Sequence, residues 1–168
     1  MHRGTQAGDD AAFVEFMLAA QPALLRLAYF LCGSQDQAKE LTQEALVRAY
    51  LRWPSIRQEG AQAYTRRILL NVRIDRGRQA AREVPTPTLP DVREVNDETA
   101  VDQDEVVAML RSLPERQRKI VVLRYCCDLS EREVADTLHI SIGAVKSQSS
   151  RGLAALRTHS LTAEGDRS

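Results

Sequence analysis

A short segment near the middle of this 168-residue chain divides it into two parts. Residues 84–105 read VPTPTLPDVREVNDETAVDQDE, in which three prolines prevent a regular helix and the acidic residues that follow repel one another. This segment carries a net charge of −6, whereas residues 1–83 and 106–168 each carry +3. We therefore predict a flexible acidic linker at 84–105 between two small domains, at residues 10–83 and 106–158.

The fold class follows from the spacing of apolar residues on both sides of the linker. They recur with helical periodicity, and neither an alternating strand pattern nor an Asn-Gly or Asp-Gly hairpin signal is present. A hydrophobic content of 43% is enough for two compact cores. We predict an all-α protein of two small helical domains.

Several function classes are disfavoured by what the sequence lacks. No apolar run approaches the roughly 20 residues that span a bilayer, and the N-terminus has no signal-peptide pattern, so we expect a cytoplasmic protein. Three sparse cysteines without CxxC spacing fit that compartment, and the apolar stretch around Cys126 and Cys127 favours buried thiols over metal or redox chemistry. With three scattered histidines, no nucleophile motif and no phosphate-binding loop, we expect no enzyme, no metal and no cofactor.

The second half of the chain contains two patterns typical of helix starts. Ser112 and Glu115, with Pro114 between them, predict a capping box at the start of one helix. Ser130 and Glu133 predict a second box, followed by a short helix with one apolar face. Residues 139–141 leave room only for a tight turn before a longer helix, whose core side would carry Ile142, Val145, Leu153 and Leu156. Two helices joined so closely form a helix-turn-helix.

A run of polar residues lies on the longer helix of this motif. In a helix-turn-helix, the second helix packs its apolar side on the first and offers the opposite side to the DNA major groove. A solvated helix face would have the same composition, but the capped helix, the turn and the polar run coincide, which favours DNA binding. The candidate DNA-binding residues are Lys146, Ser147, Gln148 and Arg151.

The first half contains a helix with two apolar sides, DQAKELTQEALVRAYLRW at residues 36–53. One side must be core and carries Ala38, Leu41, Ala45, Ala49 and Trp53. The opposite side is an acidic rim around aliphatic residues, with Asp36, Glu40, Gln43, Val47 and Leu51. Such a helix is either enclosed within its own domain or covered by a protein partner. Taken alone, the pattern favours enclosure.

A second helix is predicted at about residues 61–82, with the opposite charge. Tyr64, Ile68 and Val72 share one side. The other side places Leu70 and Ile74 among arginines, namely Arg66, Arg67, Arg73 and Arg78. Because arginine suits phosphate contacts and stacking on unpaired bases, this face favours nucleic acid over a merely solvated basic surface.

Over residues 12–158, the order of these motifs resembles the extracytoplasmic-function group of bacterial sigma factors in the sigma-70 family, and is most similar to the actinobacterial SigE branch. The motifs are DQAKELTQEALVRAYLRW, AYTRRILLNVRIDR, the acidic linker, and SLPERQRKIVVLRYCCDLSEREVADTLHISIGAVKSQSSRGLAALR. The resemblance implies an alternative sigma factor that binds core RNA polymerase, recognises promoter elements and helps to initiate transcription of a stress or developmental regulon. It implies sigma region two at 10–83 and sigma region four at 106–158.

The resemblance also implies roles for individual residues. Sigma region two would bind the clamp helices of core RNA polymerase through Asp36, Glu40, Gln43, Glu44 and Val47. The melted minus-ten strand would contact Arg66, Arg67, Asn71, Arg73 and the loop at 54–62. Sigma region four would contact the minus-thirty-five duplex through Lys146, Ser147, Gln148 and Arg151. The linker, with Asp91, Glu94, Asp97 and Glu98, would lie in the RNA path of the polymerase. An anti-sigma factor is a further expected partner.

Two alternatives stay open at the level of sequence. An ordinary helix-turn-helix regulator explains the second half of the chain, but leaves the acidic-rimmed and the basic helices of the first half without a role. Cys126 and Cys127 stand where the family pattern has larger aliphatic residues, so redox sensing is an alternative to simple packing there.

Overall fold

A computed structural model of the chain describes residues 3–56, 60–82 and 98–165, with side chains described at 7–56, 60–77 and 103–159. This part of the chain is helical and contains no strand, which confirms the predicted fold class. The helices are α1 (Arg3–Cys32), α2 (Gln35–Leu51), α3 (Trp53–Ile56), α4 (Ala61–Arg82), α5 (Glu98–Arg111), α6 (Glu115–Val121, continued by a π-helical turn at Val122–Cys126), α7 (Glu131–Leu138) and α8 (Ile142–Gly165).

The chain divides into two compact units. The first contains α1 as far as Ala28 together with α2, α3 and α4, and the second contains Tyr29–Ser34 together with α5 to α8. Residues 84–97 of the predicted linker lie outside the described residues, and α5 begins at Glu98, within the segment predicted as linker. The limits of the domains and of the linker stay a prediction.

The first unit is organised around the inner side of α2. Ala38, Leu41, Ala45 and Ala49 are buried there, as the sequence predicts, because they recur with helical spacing. Trp53 is also buried, but it begins the short helix α3, since α2 ends at Leu51. The ring of Trp53 packs edge-on against Phe13 of α1, with 5.2 Å between ring centroids.

Helix α4 has the predicted bounds but a different buried face. Thr65, Leu69 and Val72 form its core side. Leu70, which the sequence placed among the arginines of the basic face, is only 1% exposed. The prediction was wrong because spacing alone does not show how far a neighbouring helix covers the flank of α4.

The second unit contains the predicted helix-turn-helix. The Ser130 hydroxyl accepts a hydrogen bond from the Glu133 amide at 3.2 Å, and the Glu133 carboxylate accepts one from the Ser130 amide at 2.8 Å, which confirms this capping box. Helix α7 ends at Leu138, and its C-cap His139 has a left-handed φ of 54°. The Ser141 hydroxyl then accepts from the Ala144 amide and caps the start of α8.

The capping box predicted at Ser112 is wrong. The hydroxyl of Ser112 donates back to the carbonyl of Met109 at 2.7 Å, at the end of α5. Helix α6 begins at Glu115 with Pro114 as its N-cap, and no side chain caps it. The serine therefore closes the preceding helix, a local use of its hydroxyl that competes with capping.

Helix α8 packs through smaller residues than the sequence predicted. Val145 is fully buried as expected, but its neighbours on the core side are Ser149 and Gly152, and Ile142 is exposed at the start of the helix. A Cβ atom added to Gly152 would lie 2.7 Å from Cγ2 of Val121. This glycine therefore sets how closely α8 approaches α6.

Two compositional expectations differ from the structure. Ala7–Cys32 of α1 has a window of mean hydropathy 1.4 and is, on length and composition alone, long and apolar enough to cross a membrane, contrary to the expectation that no run approaches that length. A core helix meets the same criterion, and Leu24, Leu27 and Ala28 of α1 are buried. Cys126 and Cys127, which were expected to be buried, are only partly buried.

Candidate functional site

The exposed side of α8 carries most of the candidate DNA-binding residues. Lys146, Ser147 and Arg151 are all exposed, and they lie on the side opposite to Val145 and Ser149. Their arrangement follows from the packing of α8 on α6 and α7, which leaves the N-terminal half of the helix open on its other side. A single weak ion pair joins Lys146 to the first turn of α7, with 3.7 Å between its Nζ and the Glu131 carboxylate.

Two details of this face differ from the sequence hypothesis. Gln148 is half-buried at the edge of the face, because its position on the helix is closer to the core side. Ser150, which was not a candidate, is exposed one turn after Lys146. The four-residue spacing of Lys146 and Ser150 was the signal that could have found it.

The outer side of α2 is exposed in the described part of the chain. Val47 is 52% exposed and Leu51 is 73% exposed, although both are aliphatic. Asp36, Glu40 and Gln43 are exposed along the same helix, while Glu44 is half-buried. No described element encloses this side, so the structure does not support the reading in which α2 is sandwiched within its own unit.

An arginine of α4 reaches two of these acidic residues. Arg76 Nη1 lies 3.0 Å from the Glu40 carboxylate, and Nη2 lies 2.8 Å from the Glu44 carboxylate. Glu44 also accepts from Arg48, one turn further along α2. Arg76 was not among the candidate residues, so its link to α2 is a site feature that sequence reasoning missed.

These contacts change the titration of both partners. Burial raises the pKa of Glu44, but hydrogen bonds and charges from Arg76 and Arg48 outweigh it, so its pKa lies below the ordinary value. Burial lowers the pKa of Arg76, and the Glu44 and Glu40 carboxylates more than reverse this, so its pKa is raised. Both groups are therefore charged at neutral pH, and the link between α2 and α4 is an ion pair.

The candidate minus-ten residues lie in two rows along α4. Arg66 and Arg73 are seven residues apart and flank the buried Leu70, whereas Arg67 and Asn71 are four residues apart on the adjacent side. The three arginines are half-buried and Asn71 is exposed. The Nε atoms of Arg67 and Arg73 are shielded from solvent without a hydrogen-bond partner. The arginine stems thus pack along the helix rather than extending freely from it.

Part of the surrounding region is not described. Within the segment 54–62, which the sequence predicted as a loop, residues 54–56 belong to α3 and residues 61 and 62 to α4. Residues 57–59 and the side chain of Arg78 lie outside the described residues. Among the described side chains, no group of three or more His, Cys, Asp and Glu residues is arranged to hold a metal ion.

Comparison with known proteins identifies the family. Residues 16–83 match the family model for sigma-70 region 2, and residues 103–156 match that for sigma-70, region 4. The chain is 41% identical over 154 residues to the RNA polymerase sigma-E factor of Streptomyces avermitilis, covering 89% of this chain and 86% of that protein. It is 33% identical to the extracytoplasmic-function (ECF) RNA polymerase sigma factor SigM of Mycobacterium tuberculosis, and the match covers 89% of this chain and 78% of SigM.

The chain belongs to the extracytoplasmic-function sigma factors. Solved structures agree on the fold of this sigma factor. Its TM-score is 0.71 with the sigma factor RpoE of Bartonella quintana, solved in complex with the anti-sigma factor NepR, at 22% identity and over 87% of this chain and 94% of that one. The TM-score is 0.69 with CnrH, which was solved in complex with the cytosolic domain of CnrY. That match has 23% sequence identity and covers 90% of this chain and 89% of CnrH.

Membership of this family defines the activity of the chain. It is an alternative sigma factor that binds core RNA polymerase and recognises promoter DNA to initiate transcription. Sigma factors are initiation factors rather than enzymes, and the ECF sigma factors are soluble transcription factors.

Proposed function

We propose that the outer side of α2 is the surface through which this sigma factor binds the clamp helices of core RNA polymerase. The observation that carries the proposal is the exposure of Val47 and Leu51 within an acidic rim. Aliphatic residues left open to water on a helix whose other side is fully buried are typical of a surface that a partner covers. The contact residues are Asp36, Glu40, Gln43, Glu44 and Val47.

Promoter recognition is divided between two helices in this proposal. Lys146, Ser147, Gln148 and Arg151 of α8 contact the minus-thirty-five duplex, supported by the exposure of three of the four on one face. The melted minus-ten strand is held by Arg66, Arg67, Asn71 and Arg73 of α4, together with the segment at 54–62. Since Arg67 and Asn71 share the more open side of α4, they are the residues we place against unpaired bases.

Further parts of the proposal concern the linker, the partner and the compartment. The acidic residues Asp91, Glu94, Asp97 and Glu98 lie in the RNA path of the polymerase, where a basic channel would receive them. A cytosolic anti-sigma factor masks the chain when transcription of its stress or developmental regulon is off, by analogy with the complex of RpoE with the anti-sigma factor NepR. The chain acts in the cytoplasm and has no catalytic activity of its own.

In vitro transcription tests the proposed function. Core RNA polymerase that lacks any sigma factor is combined with the full-length chain on fragments of the source genome. We expect discrete products that start at defined sites and depend on the chain. Products that require a second, housekeeping sigma factor would instead identify an ordinary helix-turn-helix regulator.

A further inference from the structure

The buried side of α4 ends in a charged residue. Thr65, Leu69 and Val72 form this side at spacings of four and three residues, and Arg76 occupies the next position of the same series. An amphipathic helix that continued its apolar side would carry an aliphatic residue there. The sequence instead places a cation where α4 packs on α2.

The Arg76 guanidinium bridges two acids of α2 that lie one turn apart. Nη1 donates to Oε2 of Glu40 at 3.0 Å, and Nη2 donates to Oε2 of Glu44 at 2.8 Å. Because the donors of a planar guanidinium point in fixed directions, this bridge restrains both the position of α4 along α2 and the rotation of α4 about its own axis. Apolar packing is non-directional and restrains neither of them as tightly.

The Glu44 end of this bridge is the more shielded one. The side chain of Glu44 is 31% exposed, compared with 65% for Glu40. Glu44 also uses its second oxygen, Oε1, which accepts from Arg48 one turn further along α2. Since opposite charges attract more strongly where water screens them less, Glu44 is the stronger of the two partners of Arg76.

Arg76 lies on the side of α4 opposite to two of the residues proposed to hold the melted strand. It follows Arg67 by nine residues, or about two and a half turns, which places the two side chains about 180° apart around the helix. Asn71 shares the more open side with Arg67 and lies about 8 Å from Arg76 along the helix axis. The bridge therefore holds α4 on α2 and leaves the side with Arg67 and Asn71 accessible.

We propose that Arg76 is a positioning residue for promoter opening, which holds α4 at one register and one rotation on α2 so that Arg67 and Asn71 meet the unpaired minus-ten strand. This inference rests on the proposed function, which assigns the outer side of α2 to core polymerase and α4 to the melted strand. With α2 fixed on the polymerase, the bridge defines where α4 presents its residues to the DNA. Arg76 itself contacts neither partner. A polar contact within apolar packing is best known for specifying register rather than for adding stability.

The test separates promoter opening from polymerase binding. Holoenzyme is reconstituted from core polymerase and the full-length chain, on a promoter found by in vitro transcription with the parent chain. Arg76→Gln should keep parent-like retention on core polymerase without DNA. At matched promoter occupancy, permanganate reactivity of minus-ten thymines should show the equilibrium shifted about three- to tenfold toward the closed complex. A partly exposed ion pair supplies a small part of the stability of a domain, so the variant should remain folded, which circular dichroism verifies.

Two further variants separate positioning from a loss of charge. Arg48→Gln makes the same substitution and removes a partner of the same carboxylate, but Arg48 and Glu44 both belong to α2, so opening should be unchanged. Arg76→Lys keeps the charge and should restore part of the opening lost in Arg76→Gln. An ammonium group can approach one of the two carboxylates, but it does not reproduce the fixed, two-pronged geometry of a guanidinium.

Parent-like opening by Arg76→Gln would overturn the inference, and so would an equal loss of opening in Arg48→Gln, since the lower net charge would then explain both. Loss of polymerase retention by Arg76→Gln would also overturn it, because the bridge would then shape the polymerase surface itself.

Arg67→Ala and Asn71→Ala keep this inference distinct from the proposed function. If they lower opening and Arg76→Gln does not, the positioning role fails and the proposed function stands. If neither of them lowers opening, the assignment of α4 in the proposed function fails, and the positioning role fails with it.

Discussion

Arg76 Nη2 lies 2.8 Å from the Glu44 carboxylate, so a helix assigned to promoter DNA is joined by an ion pair to a helix assigned to polymerase. The same guanidinium contacts Glu40 at 3.0 Å, and the two carboxylates are one turn apart on α2. This arrangement fixes the neighbouring parts of α2 and α4 without using the outer aliphatic residues Val47 and Leu51. The acidic rim thus has a structural role within the first unit in addition to any role toward a partner.

Replacing Arg76 with glutamine should lower the free energy of unfolding by about 0.5 to 1 kcal/mol at pH 7, the upper part of the range for partly exposed pairs. The pKa of Glu44 is lowered in the fold, so the ion pair stabilises the chain above about pH 4.5 and this stabilisation is lost as the pH falls through the lowered pKa. Urea unfolding at pH 7 and pH 3 measures both effects.

The control for Arg76 is Arg48→Gln, which removes a pair within one helix and should cost no more than about 0.5 kcal/mol. A difference between the parent chain and Arg76→Gln that is unchanged at pH 3 would mean that the ion pair is not the source of the effect.

Gly152→Ala should destabilise the second unit by about 1 to 2 kcal/mol, although alanine favours helix, because the new methyl group would lie 2.7 Å from Cγ2 of the buried Val121. Gly143→Ala is the matched control on the same helix, since its added Cβ meets only the Ser141 hydroxyl at 3.9 Å, and it should be neutral or slightly stabilising. Chemical denaturation checks both variants. If steric overlap is the cause, adding Val121→Ala should recover part of the loss, and strict additivity would contradict that explanation.

The sequence predicted well those features that depend on the spacing of residues within a single helix. The structure confirms three such predictions: the bounds of α4, the buried stripe of α2 and the capping box at Ser130. Each of them depends on residues that lie close together in the sequence, within a single helix or at its start. The four candidate residues on α8 could be selected in the same way, because a recognition helix is identified by its own polar run and the short turn before it.

What the sequence did not predict depends on the distance between elements. The burial of Leu70 and Ser149, and the need for a glycine at 152, follow from how closely neighbouring helices approach. The pairing of Arg76 with Glu40 and Glu44 joins residues more than 30 positions apart, and nothing in either helix alone specifies it.

Lys146→Ala and Arg151→Ala should each weaken binding of the holoenzyme to a promoter through its upstream element. A lost base contact should cost about 1 to 3 kcal/mol of binding free energy and relax sequence preference. A lost phosphate contact should instead weaken binding to all DNA sequences alike, and should reduce the slope of log affinity against log salt concentration by about one. Gln148→Ala should have the smaller effect, because its side chain is half-buried. Filter binding across a salt series measures this, with Arg26→Ala as an exposed-arginine control on α1. Parent-like binding by both variants would contradict the assignment of α8.

Arg67→Ala and Asn71→Ala should reduce the fraction of promoter that is melted, while leaving recruitment to the upstream element unchanged. Both residues lie on the more open side of α4, and loss of contacts to unpaired bases costs about 1 to 3 kcal/mol per base where stacking is involved. Permanganate reactivity of thymines in the minus-ten region measures melting at matched occupancy. Normal melting by both variants would place the strand-separating contacts elsewhere.

The affinity of the free chain for core RNA polymerase, measured without DNA, tests the central claim most directly. The variant Glu40→Lys with Val47→Asp reverses one charge and places another inside the exposed aliphatic surface of α2. Glu105→Lys with Val106→Asp makes the same two changes on exposed residues of α5 in the second unit, and Arg76→Gln removes the internal ion pair alone. With helicity verified for each, we predict that only the α2 variant loses retention on core polymerase. Parent-like retention by the α2 variant would contradict the assignment of this face.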